Sequence, residues 1–300
     1  MPSTDIRIRR ARRKDLLPAA RLLVRTFNRL RADTGKEPLP FRPATVPPLC
    51  DHIRRTDPDL FLCAWRGERM AGFASAVVRG KQWYLAWLFV DPRYQDRGVG
   101  KMLLERVWRD GPGMTHALAT MTYNQQAVGI YTRFGMIPHE LITMMEGERG
   151  RVRAPEPTRL EIERRLRPAD LAWIHSLETE IRGYPHRSEW RFWMGEEGYE
   201  PLLFRRRGRP VAYGLLCPRG IIGPIGAARP ADLVPAAAEA VRIHLETKKE
   251  DLRFFAPNSN GDLYRFLHRL GFRNQEMLLF MTDTPYGDFR RYVPASLAVF

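Results

Sequence analysis

YLAWLFVDPRYQDRGVGK, residues 84–101, is the stretch from which the fold is read. Its apolar start predicts a buried strand, Asp91 and Pro92 end that strand, and Gly98 and Gly100 mark a turn into a helix opening near Val99. Two glycines two residues apart let the backbone turn sharply and come close to a ligand. A helix N-terminus aims unpaired N–H groups and a partial positive charge at the same place. Strand, glycine turn and helix in that order build an anion cradle, and a phosphate-bearing ligand is its natural occupant.

Two better-known phosphate loops do not fit. A Walker loop needs four residues between its glycines and then Lys followed by Ser or Thr, whereas Lys101 directly follows Gly100 and precedes Met102. A dinucleotide fingerprint needs a third glycine where Leu103 stands.

About one helix and one strand downstream comes NQQAVGIYTRFG, residues 124–135. Gln95, Gly98 and Gly100 followed by Asn124, Ala127, Tyr131 and Gly135 resemble the GNAT superfamily of N-acetyltransferases, over roughly residues 5 to 145. Met136 departs from the pattern, since the family usually has an aromatic after that glycine. The resemblance implies that acetyl-coenzyme A lies against the two segments. Backbone N–H groups of Gln95, Asp96, Arg97, Gly98, Val99 and Gly100 would take its pyrophosphate, with Arg97 and Lys101 adding charge or facing water. The backbone of Leu88, Phe89 and Val90 would pair with the pantetheine arm like an added strand, and an N–H there would polarise the thioester carbonyl. Such a donor is worth about 3 kcal/mol. Asn124 would bond the arm, and Ala127 belongs to the same cofactor-facing segment.

Acetyl transfer to an amine needs a neutral nucleophile and a proton for the departing thiolate. A tyrosine of pKa about 10 can protonate a thiolate whose thiol has a pKa of about 8.5. Tyr131 occupies the family position for this general acid, the alternative being an ordinary aromatic on the inner face of a helix. A general base is not legible: Trp83 to Val90 contain no carboxylate or histidine, and Asp91, His116, His139 and Glu140 are undistinguished. Trp83, Tyr84 and Trp87 suit either an acceptor pocket or a core.

Three hundred residues exceed the size at which one core usually keeps growing, so two domains of about 150 residues are expected. The net charge is +15, carried mostly by arginine. Genome composition alone gives such a bias; the functional reading is a surface that attracts anions. With no zinc-finger spacing, RNP-type strand or long basic tail, nucleic acid is not an expected partner. Three scattered cysteines, Cys50, Cys63 and Cys217, point to a reducing, cytoplasmic compartment. No apolar run reaches the roughly 18 residues of a membrane helix, and no HExxH pair or Cys/His cluster predicts a metal site.

Glu146 to Glu161 are charged, hold two prolines and lack a hydrophobic period, which reads as a linker. The predicted domains are 1–147, a linker at 148–160, and 161–300. The halves repeat: Ile6 and Ile162 each open a strand, Asp15 and Asp170 each stand as a helix N-cap, and Asn124 and Asn260 each lie eleven residues before a glycine. The second half lacks the cradle, offering Gly223 and Gly226 without a Gln-Gly-Gly helix opening, and has Leu267 in the place of Tyr131. It resembles the degenerate halves of tandem GNAT proteins. The predicted fold is mixed α/β (α+β), two tandem GNAT-like domains, each a mostly antiparallel twisted sheet flanked by helices.

In the first domain, strands are expected at 5–11, 60–66, 71–79, 82–90, 116–123 and 140–145. Helices are expected at 14–28, 46–55, 99–108 and 125–134. The proline-rich loop from Arg29 to Pro48 is either a stiff connector or, as in the family, a neighbour of the acceptor. The resemblance implies a cytoplasmic N-acetyltransferase acting on a primary amine, of a small molecule or a protein, with the acceptor expected in an interdomain groove. The rival reading is a non-catalytic acyl-coenzyme A binding or sensing module.

Overall fold

The structure is a computed structural model in which residues 6–38 and 48–300 are described. The chain forms two compact units, residues 1–118 with 123–136, and residues 119–122 with 137–300.

The first unit opens with β1 (Arg7–Arg10), a 3-10 turn at Arg13–Asp15, α1 (Leu16–Asp33) and α2 (Pro48–Thr56). Then come β2 (Phe61–Arg66), β3 (Arg69–Arg79), β4 (Gln82–Val90), α3 (Val99–Val107), β5 (Thr115–Met121), whose residues from Ala119 on count with the second unit, and α4 (Gln125–Arg133). The expected elements are present, but α1 continues to Asp33, so the first residues of the loop expected from Arg29 are helical. Residue 5 of the first strand, 46 and 47 of the second helix, and Pro40, Pro43 and Pro47 of the loop lie outside the described residues.

Strands β1 to β4 pair antiparallel in sequence order. Two-residue turns whose first residues, Gly67 and Gly80, have φ of 56° and 59° join β2 to β3 and β3 to β4, as tight hairpins require. β5 joins β4 in parallel, but only from Gln82↔Thr115 to Leu85↔Leu118. Beyond Leu85, β4 has lost this partner. α3 lies close on the sheet because Gly72 makes room: a Cβ there would stand 2.9 Å from the Phe89 carbonyl oxygen and 3.1 Å from Leu103 Cδ1.

Asp15 stands at the N-cap position of α1, as the sequence predicts, but its side chain does not cap that helix. A 3-10 turn precedes α1, and the Asp15 carboxylate reaches back to the Arg12 N–H (2.7 Å) and to the Arg9 guanidinium. Asp170 does the same in the second half, accepting from the Arg167 N–H at 2.9 Å. The cause is one of position: an acid three residues past the cap satisfies the cap's own donor.

The second unit begins with β6 (Ile137–Gly147). Residues 148–160 follow without helix or strand, then β7 (Glu161–Glu163), α5 (Pro168–Arg182), α6 (Arg187–Gly195), β8 (Glu200–Arg206) and β9 (Arg209–Leu216). β10 (Ile222–Ala227), α7 (Pro230–Thr247), β11 (Leu252–Pro257), α8 (Gly261–Arg269), β12 (Arg273–Thr282) and β13 (Tyr292–Val293) complete it. One sheet runs β13-β10-β9-β8-β7. Apart from it, β6 lies antiparallel between β11 and β12. The β6–β12 pair is self-complementary in the sense of the repeat. Each strand has one unpaired residue, His139 and Gln275, and each lies four residues past the glycine that ends the preceding helix. The core gathers Leu202, Phe204, Ile225, Leu233, Val241, Phe254 and Leu267, all inaccessible to solvent. Leu267, in the place of Tyr131, is therefore simply core.

Candidate active site

The cradle forms where the glycines place it. Asp96 and Gly98 both take left-handed backbone, φ 58° and 78°, and Gly98 is the N-cap of α3. A glycine suits this position, because an L side chain at positive φ costs about 1–2 kcal/mol. No side chain caps α3, so its first amides keep their donors for something else. A Cβ built at Gly98 meets nothing within 4 Å, so the space in front of the turn is open.

β4 supplies the adjoining wall. The Asp91 N–H donates inward to Ala71 O at 2.9 Å, so by strand alternation the amides of Leu88 and Val90 face the edge that β5 has left, and that of Phe89 faces β3. The Val90 carbonyl oxygen is already met by Gln95 Nε2 at 3.1 Å. Gln95 thus ties the loop to the strand end through its side chain. Leu88, Phe89 and Val90 are half-buried. An uncapped helix start beside an unpaired strand edge fits a ligand with a diphosphate and an extended, amide-bearing arm.

α4 is joined to the cradle by one bond, Gln126 Nε2 donating to Asp96 Oδ1 at 2.8 Å. This occupies the carboxylate that would otherwise oppose an anion. Lys101 reaches along its own helix toward Glu105, 3.7 Å away, and Arg97 is exposed. Asn124 caps α4, its Oδ1 accepting from the Ala127 N–H at 3.3 Å. Its side-chain oxygen serves the helix, leaving the amide NH2 as the donor for a ligand.

Tyr131 is buried, 7% exposed, and burial alone pushes its phenol well above the usual range. It therefore stays protonated at any physiological pH. No hydrogen bond to its hydroxyl is present among the described residues. Trp83 and Tyr84 belong to the core: both are buried, and Trp83 Nε1 donates to Val107 O at 2.7 Å. Trp87 is half-buried.

The acids and histidines that the sequence offers as bases are engaged in other contacts. Asp91, 1% exposed, accepts from Arg93 Nε (2.9 Å), Arg93 Nη2 (2.7 Å), the Arg93 N–H (3.0 Å) and Arg25 Nη2 (2.6 Å). Hydrogen bonding to Arg93, above all, holds its carboxyl at about 2, so it is far too weak a base for pH 7. His116 stacks on Trp108 at 4.1 Å, its Nε2 2.7 Å from Arg109 O. In the second unit, Glu140 accepts from the Ser259 N–H at 3.0 Å, and His139 lies against Phe280 and Phe289. Beside the Asp91 clasp is a groove of about 890 Å³ lined by Arg21, Arg25, Arg66, Arg69 and Arg93 with one acid, Glu68. Reading the sequence did not find this clustering, because its members come from α1, the β2–β3 turn and the turn before the cradle.

A parallel strand pair that splays apart, with a glycine-turned helix opening at its mouth, sets an open strand edge beside an uncapped helix start. Residues 24–136 match the acetyltransferase (GNAT) family. A protein from Pyrococcus horikoshii assigned to the acetyltransferases is similar in structure over 100% of this chain and 98% of its own, with a TM-score of 0.79 at 17% identity. A GCN5-related N-acetyltransferase from Sphaerobacter thermophilus aligns over 97% of this chain and 100% of its own (TM-score 0.65, 16% identity). A tandem GNAT protein from the clavulanic acid biosynthesis pathway aligns over 93% and 99% (TM-score 0.59, 16% identity). At these identities the likeness is one of fold, and it includes the tandem arrangement. No curated protein matches the chain by sequence. Among the described residues no helix is long and apolar enough to cross a membrane, and no group of three or more His, Cys, Asp or Glu could hold a metal ion.

Proposed function

We propose that the chain is an N-acetyltransferase that binds acetyl-coenzyme A in its first half and passes the acetyl group directly to a primary amine of a small molecule or a protein. The observation that carries this reading is the uncapped, open N-terminus of α3 beside the unpaired edge of β4. The amides from Gln95 to Gly100 take the diphosphate, the edge at Leu88 to Val90 takes the pantetheine amides, and the Asn124 NH2 donates to the same arm. The coenzyme supplies an activated acetyl thioester. A strand-edge N–H stabilises charge developing on its carbonyl oxygen, and the Tyr131 hydroxyl, kept protonated by burial, gives a proton to the departing sulfur.

The domain division 1–147, 148–160 and 161–300 belongs to this reading, supported by the repeated helix caps of the two halves. A cytoplasmic setting is supported by three cysteines that form no disulfide, of which Cys63 and Cys217 are buried.

One observation favours a non-catalytic acyl-coenzyme A module instead: Asp91, His116 and Glu140 are all engaged, so no side chain among them is free to act as base. Thiol release from acetyl-coenzyme A with a panel of small amines and peptide N-termini decides. An enzyme releases coenzyme A in an amine-dependent way; a sensor binds the coenzyme and releases none, which would end the catalytic reading.

A further inference from the structure

In the second unit, β10 repeats the situation of β4. β9 holds one of its edges, and toward the other β11 makes a single parallel bridge, Ile221↔Arg253, at the residue before β10. The remaining edge would be open as in the first half, but the chain's own end covers it. β13 pairs there antiparallel, Ile225↔Val293 and Gly226↔Tyr292, and the Ala227 N–H donates to Arg291 O at 2.9 Å. The opposite wall supplies a second contact: Asn260 Nδ2, on the residue that repeats Asn124, donates to Arg290 O at 2.9 Å.

Further along, Gly223 admits the segment at backbone distance. A Cβ there would stand 2.6 Å from Pro294 O, and its φ of 151° disfavours any other residue. Tyr292, Val293, Ala295, Ala298, Val299 and Phe300 are all buried. The Phe300 ring stacks on Phe280 at 4.5 Å, and its carbonyl oxygen accepts from Arg182 and from the Tyr184 hydroxyl (2.6 Å). The helix that should offer the diphosphate amides is also spoiled. α7 begins after Arg229 in extended backbone instead of a left-handed glycine, and the buried Asp232 of its first turn already holds the guanidinium groups of Arg206 and Arg229 at this helix start.

We infer that the second half is a binding cleft for an extended peptide segment, and that residues 290–300 are its ligand in cis, taking the strand edge and the asparagine amide that the first half offers to pantetheine. The assignment rests on the first-half reading above for that comparison. It follows that one chain binds one acyl-coenzyme A, and that the second half contributes a self-filled, catalytically silent partner.

The test combines titration calorimetry of the full chain with acetyl-coenzyme A and amide hydrogen exchange with and without it. The expected result is one equivalent bound, with the amides of Ile225, Ala227 and Val293, which face the partner strand, exchanging at least about a thousandfold more slowly than in an unstructured peptide, unchanged by saturating coenzyme. Gly223→Ala should speed exchange across 292–300 at least tenfold. Two equivalents bound, coenzyme-induced exchange at 290–300, or fast exchange of this segment in the wild-type chain would overturn the inference. No binding at all, with the segment still protected, would count against the first-half reading and uphold this one.

Discussion

Asn124 and Asn260 make the same bond in the two halves, each closing the first turn of its helix by accepting from the amide three residues on, at 3.3 Å to Ala127 and 3.0 Å to Leu263. Their NH2 groups are what differ. That of Asn260 is spent on Arg290 O, whereas that of Asn124 has no partner among the described residues and is assigned to the coenzyme arm. Replacing either by Ala should remove about 1 kcal/mol of stability in urea unfolding. Only Asn124→Ala should also weaken acetyl-coenzyme A, by roughly tenfold for one lost bond in a buried site. Equal coenzyme affinity in the two variants would reduce Asn124 to a cap.

Tyr131→Phe keeps the ring and its packing while removing the only proton the side chain can give. Turnover should fall by about 100-fold or more, with the dissociation constant for acetyl-coenzyme A within a few-fold of wild type. The informative readout is the split between the two: a loss confined to affinity would make the hydroxyl a binding group and leave the leaving thiolate to water.

The parts of this molecule that depend on neighbours in sequence were legible, and those that depend on distant partners were not. The strand–turn–helix from Tyr84 to Val107 follows from an apolar run and two glycines, and the repeat follows from matching caps. Asp91 looked like a possible base because its partners Arg25 and Arg93, one of them 66 residues away, show only when α1 is laid against the end of β4. The filled second cleft was hidden for the same reason. A stretch such as Arg290 to Phe300 carries no motif, and its meaning lies in the edge it covers. Degeneracy was readable in Leu267 and the absent cradle, but the occupant was not.

Asp91 makes stability depend on acid. Its folded-state pKa of about 2 lies below the unfolded value of 3.8, so its contribution is fully present above about pH 4 and is lost as pH falls through that window toward 2. Because Arg25 and Arg93 are each half-exposed, about 1–2 kcal/mol is a fair discounted size. Asp91→Asn should lose this amount at pH 7 and flatten the acid limb of the stability curve between pH 4 and 2. An unchanged acid limb would mean that the clasp adds nothing beyond packing.

Glu178 provides the sharpest stability test because it is wholly buried among donors. Its carboxylate accepts from the His186 N–H (2.7 Å), Trp190 Nε1 (3.0 Å) and the Tyr213 hydroxyl (3.0 Å). Burial opposes its charge, but His186 and Arg182 together outweigh burial and hold the pKa below the ordinary carboxylate value. Arg182 is equally buried and keeps its charge, so removing Glu178 strands a cation in the core. Glu178→Ala should therefore cost about 3–5 kcal/mol. Glu178→Gln should cost less but still exceed a surface change, because an amide has one acceptor oxygen where the carboxylate has two. Neither change touches the first-half site, so the molecules that remain folded at low temperature should keep wild-type turnover. A Gln variant as stable as wild type would show that the neutral hydrogen bonds, not the charge attraction to nearby Arg182, hold this cluster, and that His186 and Tyr213 satisfy it without charge.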